Sequence, residues 1–371
     1  LSTSHSESMS DELPGIIRHR IREAGGWLPF DRFMALALYE PGLGYYANAA
    51  PKFGQMPDSG SDFVTAPELT PLFGQALARQ VAQALAATGT DTVWEFGAGT
   101  GALALQVIDA LAALGQPLRR YTIVDLSGSL RERQRTTLAQ HAGIVQWADV
   151  LPDRIEGVVL GNEVLDAMPV QLLARTGAVW HERGVALDAA GAFVWADRAT
   201  ELRPPFEVDG AHDYVTEIHP QAEAFVRTLA DRLRRGAAFL IDYGFPEAEY
   251  YHPQRSMGTL VCHRAHRSDS NPLVEVGQKD ITAHVNFTGV ALAAQEAGMD
   301  VAGYTSQGRF LLNCGLIDLA KDADARQNAM MQKLVNEHEM GELFKVIALV
   351  PGGGSGWAPI GFAAGDRTHR L

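Results

Sequence analysis

Residues 91–115, DTVWEFGAGTGALALQVIDALAALG, join an apolar run to three glycines and then to a stretch with apolar residues at Leu103, Val107, Leu111 and Leu114. The spacing predicts a strand at 92–96 and a helix after the glycines. Gly97, Gly99 and Gly101 let the backbone turn sharply and approach a ligand closely, while the first N–H groups of the helix stay free. Strand, tight turn and helix in that order make a nucleotide-binding unit.

Two kinds of ligand suit such a unit. GAGTGA satisfies the dinucleotide pattern G-x-G-x-x-G/A, and Asp125 lies near the spacing, about 20 residues on, at which that pattern places a ribose-binding acid. The same stretch also reads E-x-G-x-G-x-G, because Glu95 precedes the first glycine by two. A pyrophosphate would be repelled by Glu95, Asp125, Asp149, Glu163 and Asp166. S-adenosylmethionine (SAM) has no phosphate and carries a sulfonium and an ammonium that these acids attract. SAM is the preferred cofactor, and a NAD-linked oxidoreductase is the rival.

Alternating elements extend the pattern. Buried strands are expected at 119–127, 143–147, 157–160 and 237–245, with helices between them, so the fold class is α/β: a doubly wound, mostly parallel, Rossmann-like sheet with ligands beyond the strand C-termini. Residues 1–12, Ser-rich and acidic, read as a disordered tail. Residues 13–90 read as an N-terminal helical region with a cofactor-covering loop at 42–69, where Tyr45, Tyr46, Phe53, Phe63 and Thr65 are candidates to fold over the ligand. Helices are expected at 68–87, 219–236 and 281–298. The core follows over 91–371, interrupted by β or irregular insertions at about 168–215 and 246–280.

Composition excludes several classes. A net charge of −13 over 371 residues argues against a nucleic-acid-binding face, which needs clustered Lys and Arg. It is compatible with a basic protein substrate. No apolar run reaches the ~18 residues of a membrane span. Two cysteines, Cys262 and Cys314, make no disulfide framework and fit a reducing compartment such as the cytoplasm. Cys262, His263 and His266 lack the second cluster that zinc requires, so no metal is expected. The Arg131 to Arg135 run reads as a solvated helix face.

Six motifs occur in one order: GSDFVTAPE (60–68), EFGAGTGAL (95–103), GNEVLDAMPV (161–170), IDYGF (241–245), GTLVCHRAH (258–266) and DITAHVNF (280–287). On these the chain resembles the MidA-like family of SAM-dependent methyltransferases over about residues 13–365. That family includes the mitochondrial protein arginine methyltransferase that assists assembly of respiratory complex I. The resemblance implies the seven-stranded methyltransferase variant of the fold, SAM as methyl donor, and an arginine of a partner protein, a complex I subunit among the candidates, as acceptor. One departure is VDLS at the end of the second strand, where relatives are expected to carry VEVS. The eukaryotic relatives act in the mitochondrial matrix, whereas this chain looks bacterial, and its aromatic insertions are candidates for a homodimer face.

Roles follow for individual residues. Gly97, Gly99 and Gly101 serve backbone approach to the cofactor, Glu95 its charged methionyl end, Asp125 the ribose and Asp149 the adenine amino group; Phe63 and Thr65 cover it. Glu163 and Asp166, three apart, are expected to share one face of a helical turn and grip a guanidinium. The competing reading gives Asn162 and Glu163 to SAM and makes Asp166 a helix cap. Tyr243 and His284 are expected to line the same cleft. A methyltransferase with another acceptor, or an assembly factor that binds SAM without turnover, shares every one of these features.

Overall fold

The computed structural model describes residues 3–48, 65–125, 128–264, 267–353 and 356–371. Seven strands form the path of the central sheet: β1 (Thr92–Phe96), β2 (Arg120–Val124), β3 (Val145–Ala148), β4 (Ile155–Asn162), β5 (Leu233–Phe245), β6 (Met299–Ser306) and β7 (Phe344–Pro351). Their order is β3-β2-β1-β4-β5-β7-β6, and a two-residue strand, Val285–Asn286, adds to β5 beside this path. Neighbours from β3 to β5 run parallel, whereas β7 is antiparallel to both β5 and β6.

Period two explains why these runs are strands buried on both faces. Val158, Leu160, Phe239, Ile241, Val346 and Ala348 point to one side, where the helices Leu72–Thr88 and Ala102–Ala113 lay down Leu77, Val81, Val107 and Leu111. Val159, Leu240, Ile347 and Leu349 point to the other, against Val226 and Leu229 of Pro220–Arg232 and Val290 of Phe287–Glu296. Burying Phe239 completely makes its replacement by alanine costly, on the order of 3–5 kcal/mol. The chain leaves β1 toward β2 and β3, then returns to the other side of β1 for β4 and β5. That reversal opens a crevice beyond the C-terminal ends of β1 and β4.

Above the crevice lies a second layer. Trp27–Pro29, Gln171–Thr176, Val179–Leu187, Phe193–Ala199 and Tyr214–Ile218 form an antiparallel sheet, so the N-terminal segment supplies a strand to the first insertion. Val261–Arg264, Arg267–Asp269 and Asp280–Thr282 form a smaller one. Ile17, Ile21, Phe30, Phe33 and Met34 share a core with Leu172, Val185, Cys262 and Ile281, which binds the N-terminal helices to both insertions.

Four expectations need correction. The first helix runs Thr3–Glu23 and takes in the residues expected as a tail; once Ile17 and Ile21 are anchored, extending a helix costs little. The helix expected at 68–87 is two, Ala66–Leu69 and Leu72–Thr88, because Pro71 pushes Thr70 into an extended conformation, φ −160° and ψ 142°. The helix at 219–236 stops at Arg232, since Leu233 already pairs with Ile155 of β4. The helix at 281–298 begins only at Phe287, where the Asn286 side chain caps it by accepting the Gly289 N–H. Among the described residues no helix is long and apolar enough to cross a membrane.

Candidate active site

The glycine turn adopts the left-handed conformations that its residues permit, with φ +61° at Gly97, +53° at Gly99 and +86° at Gly101. Gly97 and Gly99 face a cleft of about 1170 Å³, while Gly101 stands behind the turn, packed on Gln134 and Leu138. Gln134 is fully buried, and its Nε2 donates both to the Gly99 carbonyl (3.0 Å) and to Asp125 Oδ2 (2.8 Å). One amide thus fixes the end of β2 relative to the turn. Its own Oε1 accepts from Trp147 Nε1 at 2.8 Å. Asp149 reaches the rim of the cleft, mostly exposed, in a 2.5 Å ion pair with Arg131. Arg131 is therefore no solvated residue, since its Nε also donates to the Asp125 carbonyl at 2.9 Å.

At the end of β4 the chain makes a tight turn in which Glu163 has φ +54°. No helix forms there, so Glu163 and Asp166 do not share a helical face and Asp166 caps no helix. The turn is held from the neighbouring strand: Asp242 Oδ2 accepts the N–H groups of Val164, Leu165 and Asp166 at 3.1, 2.9 and 3.2 Å. Both acids still enter the same cleft. Glu163 is half-buried and accepts from Asn162 Nδ2 at 3.0 Å; burial, and then the negative charge of Asp166, push its pKa up to about 8. Burial raises Asp166 to about 6, and its Oδ1 has no hydrogen-bond partner among the described residues. Asp242 is raised well above the usual range by burial, then by Asp166 and Glu163.

Tyrosines and one more acid close this end. The Tyr46 hydroxyl donates to both oxygens of buried Asp280 at 2.9 Å, Tyr39 stacks on Tyr46 with ring centroids 5.6 Å apart, and Tyr39 donates to the Ala167 carbonyl. Tyr243 lies beside Asp166 and meets the His284 ring edge-on at 5.1 Å. His284 sits between two short strands, not on a helix, stacked on Phe245 at 5.4 Å. Burial, and then Arg255, lower its pKa to about 4, so it is neutral.

Glu95, at the end of β1, is buried and accepts the Tyr121 hydroxyl at 2.6 Å; burial pushes its pKa up to about 7. Thr65 lines the cleft, and Phe63, with most of the covering loop, lies outside the described residues. Sequence reasoning missed Glu68, Tyr39, Gln134 and Asp280. Glu68 and Asp280 stand in TAPE and DITAHVNF, motifs in which spacing alone assigns the acid no role. Gln134 lay in a helix whose arginines masked its one buried polar face. Among the described residues no group of His, Cys, Asp and Glu is placed to hold a metal.

The charge of the cleft selects its ligand. Its described walls carry seven carboxylates and no Lys or Arg, a setting hostile to a pyrophosphate and suited to a cation. Among the described residues Glu68 Oε2, Asn162 Oδ1 and Asp166 Oδ1 are buried acceptors without partners, so a ligand rich in donors fits these walls.

An acid-lined cleft at the switch point of a doubly wound sheet, beside a glycine turn and a ribose-spaced acid, defines a SAM-binding transferase. The chain belongs to the family described as "Putative S-adenosyl-L-methionine-dependent methyltransferase", whose model matches residues 76–305. A Burkholderia thailandensis protein with S-adenosyl-homocysteine (SAH) bound in its crystal structure is 53% identical, with TM-score 0.94 and coverage of 100% of this chain and 99% of that one. A second crystal structure from that organism is 51% identical, TM-score 0.90, with coverage of 100% and 99%. The mitochondrial protein arginine methyltransferase NDUFAF7 of Mus musculus is 28% identical over 397 residues, covering 94% of this chain and 87% of its own. Its homolog in Caenorhabditis elegans is 26% identical, covering 98% and 93%. SAM is the cofactor of this protein.

Proposed function

We propose that this chain methylates an arginine side chain of a partner protein, using the seven-strand path as the methyltransferase variant of the doubly wound fold. The observation that carries this reading is the convergence of Glu163 and Asp166 in one cleft, both with raised pKa and Asp166 with an oxygen left unpartnered. Such a pair is short of positive charge, and a planar guanidinium supplies it together with paired donors. The names of the mouse and worm relatives point the same way.

When bound, SAM supplies an electrophilic methyl carbon on a sulfonium. The residues of the chain bind and align. Asp125, held by Gln134, accepts from the ribose hydroxyls; Asp149 takes the adenine amino group; Asn162 and Thr65 border the cofactor, and Glu95 adds negative charge toward its methionyl end. Glu163 and Asp166 grip the acceptor; the bound guanidinium favours the ionised form of Glu163, which then takes the proton that the guanidinium nitrogen loses as it is alkylated. Tyr243 and neutral His284 wall the acceptor end and keep water from it. A basic protein is the partner class, and a respiratory complex I subunit is the first to try.

The test is transfer from methyl-labelled SAM to arginine peptides and to their lysine-substituted counterparts. Label is expected on arginine alone. Glu163→Gln should abolish transfer while keeping SAM affinity within a few fold. Label on lysine would reject the arginine reading, and equal loss of transfer and SAM binding would move Glu163 into the cofactor site.

A further inference from the structure

Glu68 stands in the four-residue helix Ala66–Leu69, in an unusual electrostatic position. Its Oε1 accepts the Thr100 hydroxyl at 2.8 Å, which ties it to the glycine turn. Among the described residues its buried Oε2 has no hydrogen-bond partner, and no Lys or Arg pairs with it. The side chain lines the cleft together with Gly97, Gly99 and Thr100. An unpaired buried carboxylate oxygen is expensive unless a cation or donor meets it.

Its backbone is fixed independently of any ligand. Gln106 Nε2 donates to the Pro67 carbonyl at 2.7 Å, which clamps the short helix to Ala102–Ala113, and Gln106 Oε1 accepts the Gly74 N–H at 3.1 Å, which holds the same side chain to Leu72–Thr88. The carboxylate is preorganised and half satisfied.

Glu95, to which the sequence pattern gives the methionyl end, is in a different state. It already accepts a 2.6 Å bond from Tyr121 and is nine-tenths or more buried at the end of β1. Of the two acids beside the turn, Glu68 is the one with a buried carboxylate oxygen that has no hydrogen-bond partner among the described residues.

We propose that Glu68 is the residue that binds the α-ammonium of the methionyl end of SAM and SAH, with Thr100 orienting its carboxylate and Glu95 behind it. The contact is a charge-assisted hydrogen bond from the ammonium to Oε2. The assignment concerns the cofactor and does not depend on the identity of the methyl acceptor.

The experiment is calorimetric titration of the full chain with SAH and with its desamino analogue, in which hydrogen replaces the α-amino group. The wild-type protein is expected to prefer SAH about tenfold or more. Glu68→Gln should lower SAH affinity about tenfold and leave the analogue within twofold, erasing the preference; an unchanged analogue also shows that the variant is folded. Thr100→Val should cost several fold for SAH only. Equal loss of both ligands in either variant, or no loss in Glu68→Gln, overturns the assignment. So does selective loss of SAH in Glu95→Gln with Glu68→Gln unaffected.

Discussion

Asp242 fixes Asp166 from the neighbouring strand: its Oδ2 accepts the Asp166 N–H at 3.2 Å while also accepting those of Val164 and Leu165. Its Oδ1 accepts the Tyr243 N–H at 3.0 Å. The turn that presents two acids to the cleft thus has no helix of its own to rely on. One carboxylate replaces the missing acceptors.

Asp242→Ala is expected to leave these four N–H groups without partners. The loss of stability should be about 3 kcal/mol or more, read by urea unfolding. At temperatures where the variant stays folded, methyl transfer should fall at least tenfold while SAH affinity changes less.

Gln134→Leu preserves volume but removes the donor shared by the Gly99 carbonyl and Asp125. SAH affinity should fall about tenfold by calorimetry, and adenosine should lose affinity by a similar factor, since the ribose end is affected. Loss for SAH alone would move the role of Gln134 away from Asp125.

Gly99→Arg tests the turn. A Cβ at Gly99 meets nothing within 4 Å, so the variant should fold, at a cost of about 1–2 kcal/mol for a side chain at φ +53°. The guanidinium then lies among the acids of the cleft, and saturable SAM binding should disappear.

Stability should depend on pH in a defined window. Glu163, raised from 4.5 to about 8, and Glu95, raised from 4.5 to about 7, bind protons more tightly folded than unfolded. Their contribution is full below the unfolded pKa and is lost as pH rises through the folded one. Buried His219 and His284, lowered from 6.5 to about 3 and about 4, act oppositely, but only below pH 6.5. Between pH 6.5 and 8 the ligand-free protein should therefore lose stability as pH rises. Glu163→Gln should flatten the upper part of that slope in urea titrations.

Much of this architecture is legible in the sequence. Continuous apolar runs with punctuating glycines gave the parallel strands, because residues buried on both faces leave little room for polar ones. The acids at strand ends were legible for the same reason: a carboxylate directly after a buried run has only the sheet's C-terminal edge to occupy. Helix boundaries were less so. Phe287–Glu296 begins where the pairing of Val285–Asn286 ends, Pro220–Arg232 stops where Leu233 pairs with Ile155, and such pairing is set by neighbours distant in sequence.

The residues that decide the chemistry divide along the same line. The sequence by itself determined the doubly wound class, the turn at Gly97, Gly99 and Gly101, and the acidic character of the cleft, since each is carried by local spacing and by side-chain charge. Only the tertiary structure decided which acid is left with a buried oxygen unpartnered among the described residues. One oxygen of Glu95 accepts from Tyr121, 26 residues on. Glu68 is held at one oxygen by Thr100, 32 residues on, and keeps the other. Asp125 depends on Gln134, and the pair of Glu163 and Asp166 on Asp242. Hydrogen bonds of this kind join segments far apart in the chain, and the burial that sets their strength exists only once the sheet and its overlying layer have closed around the cleft.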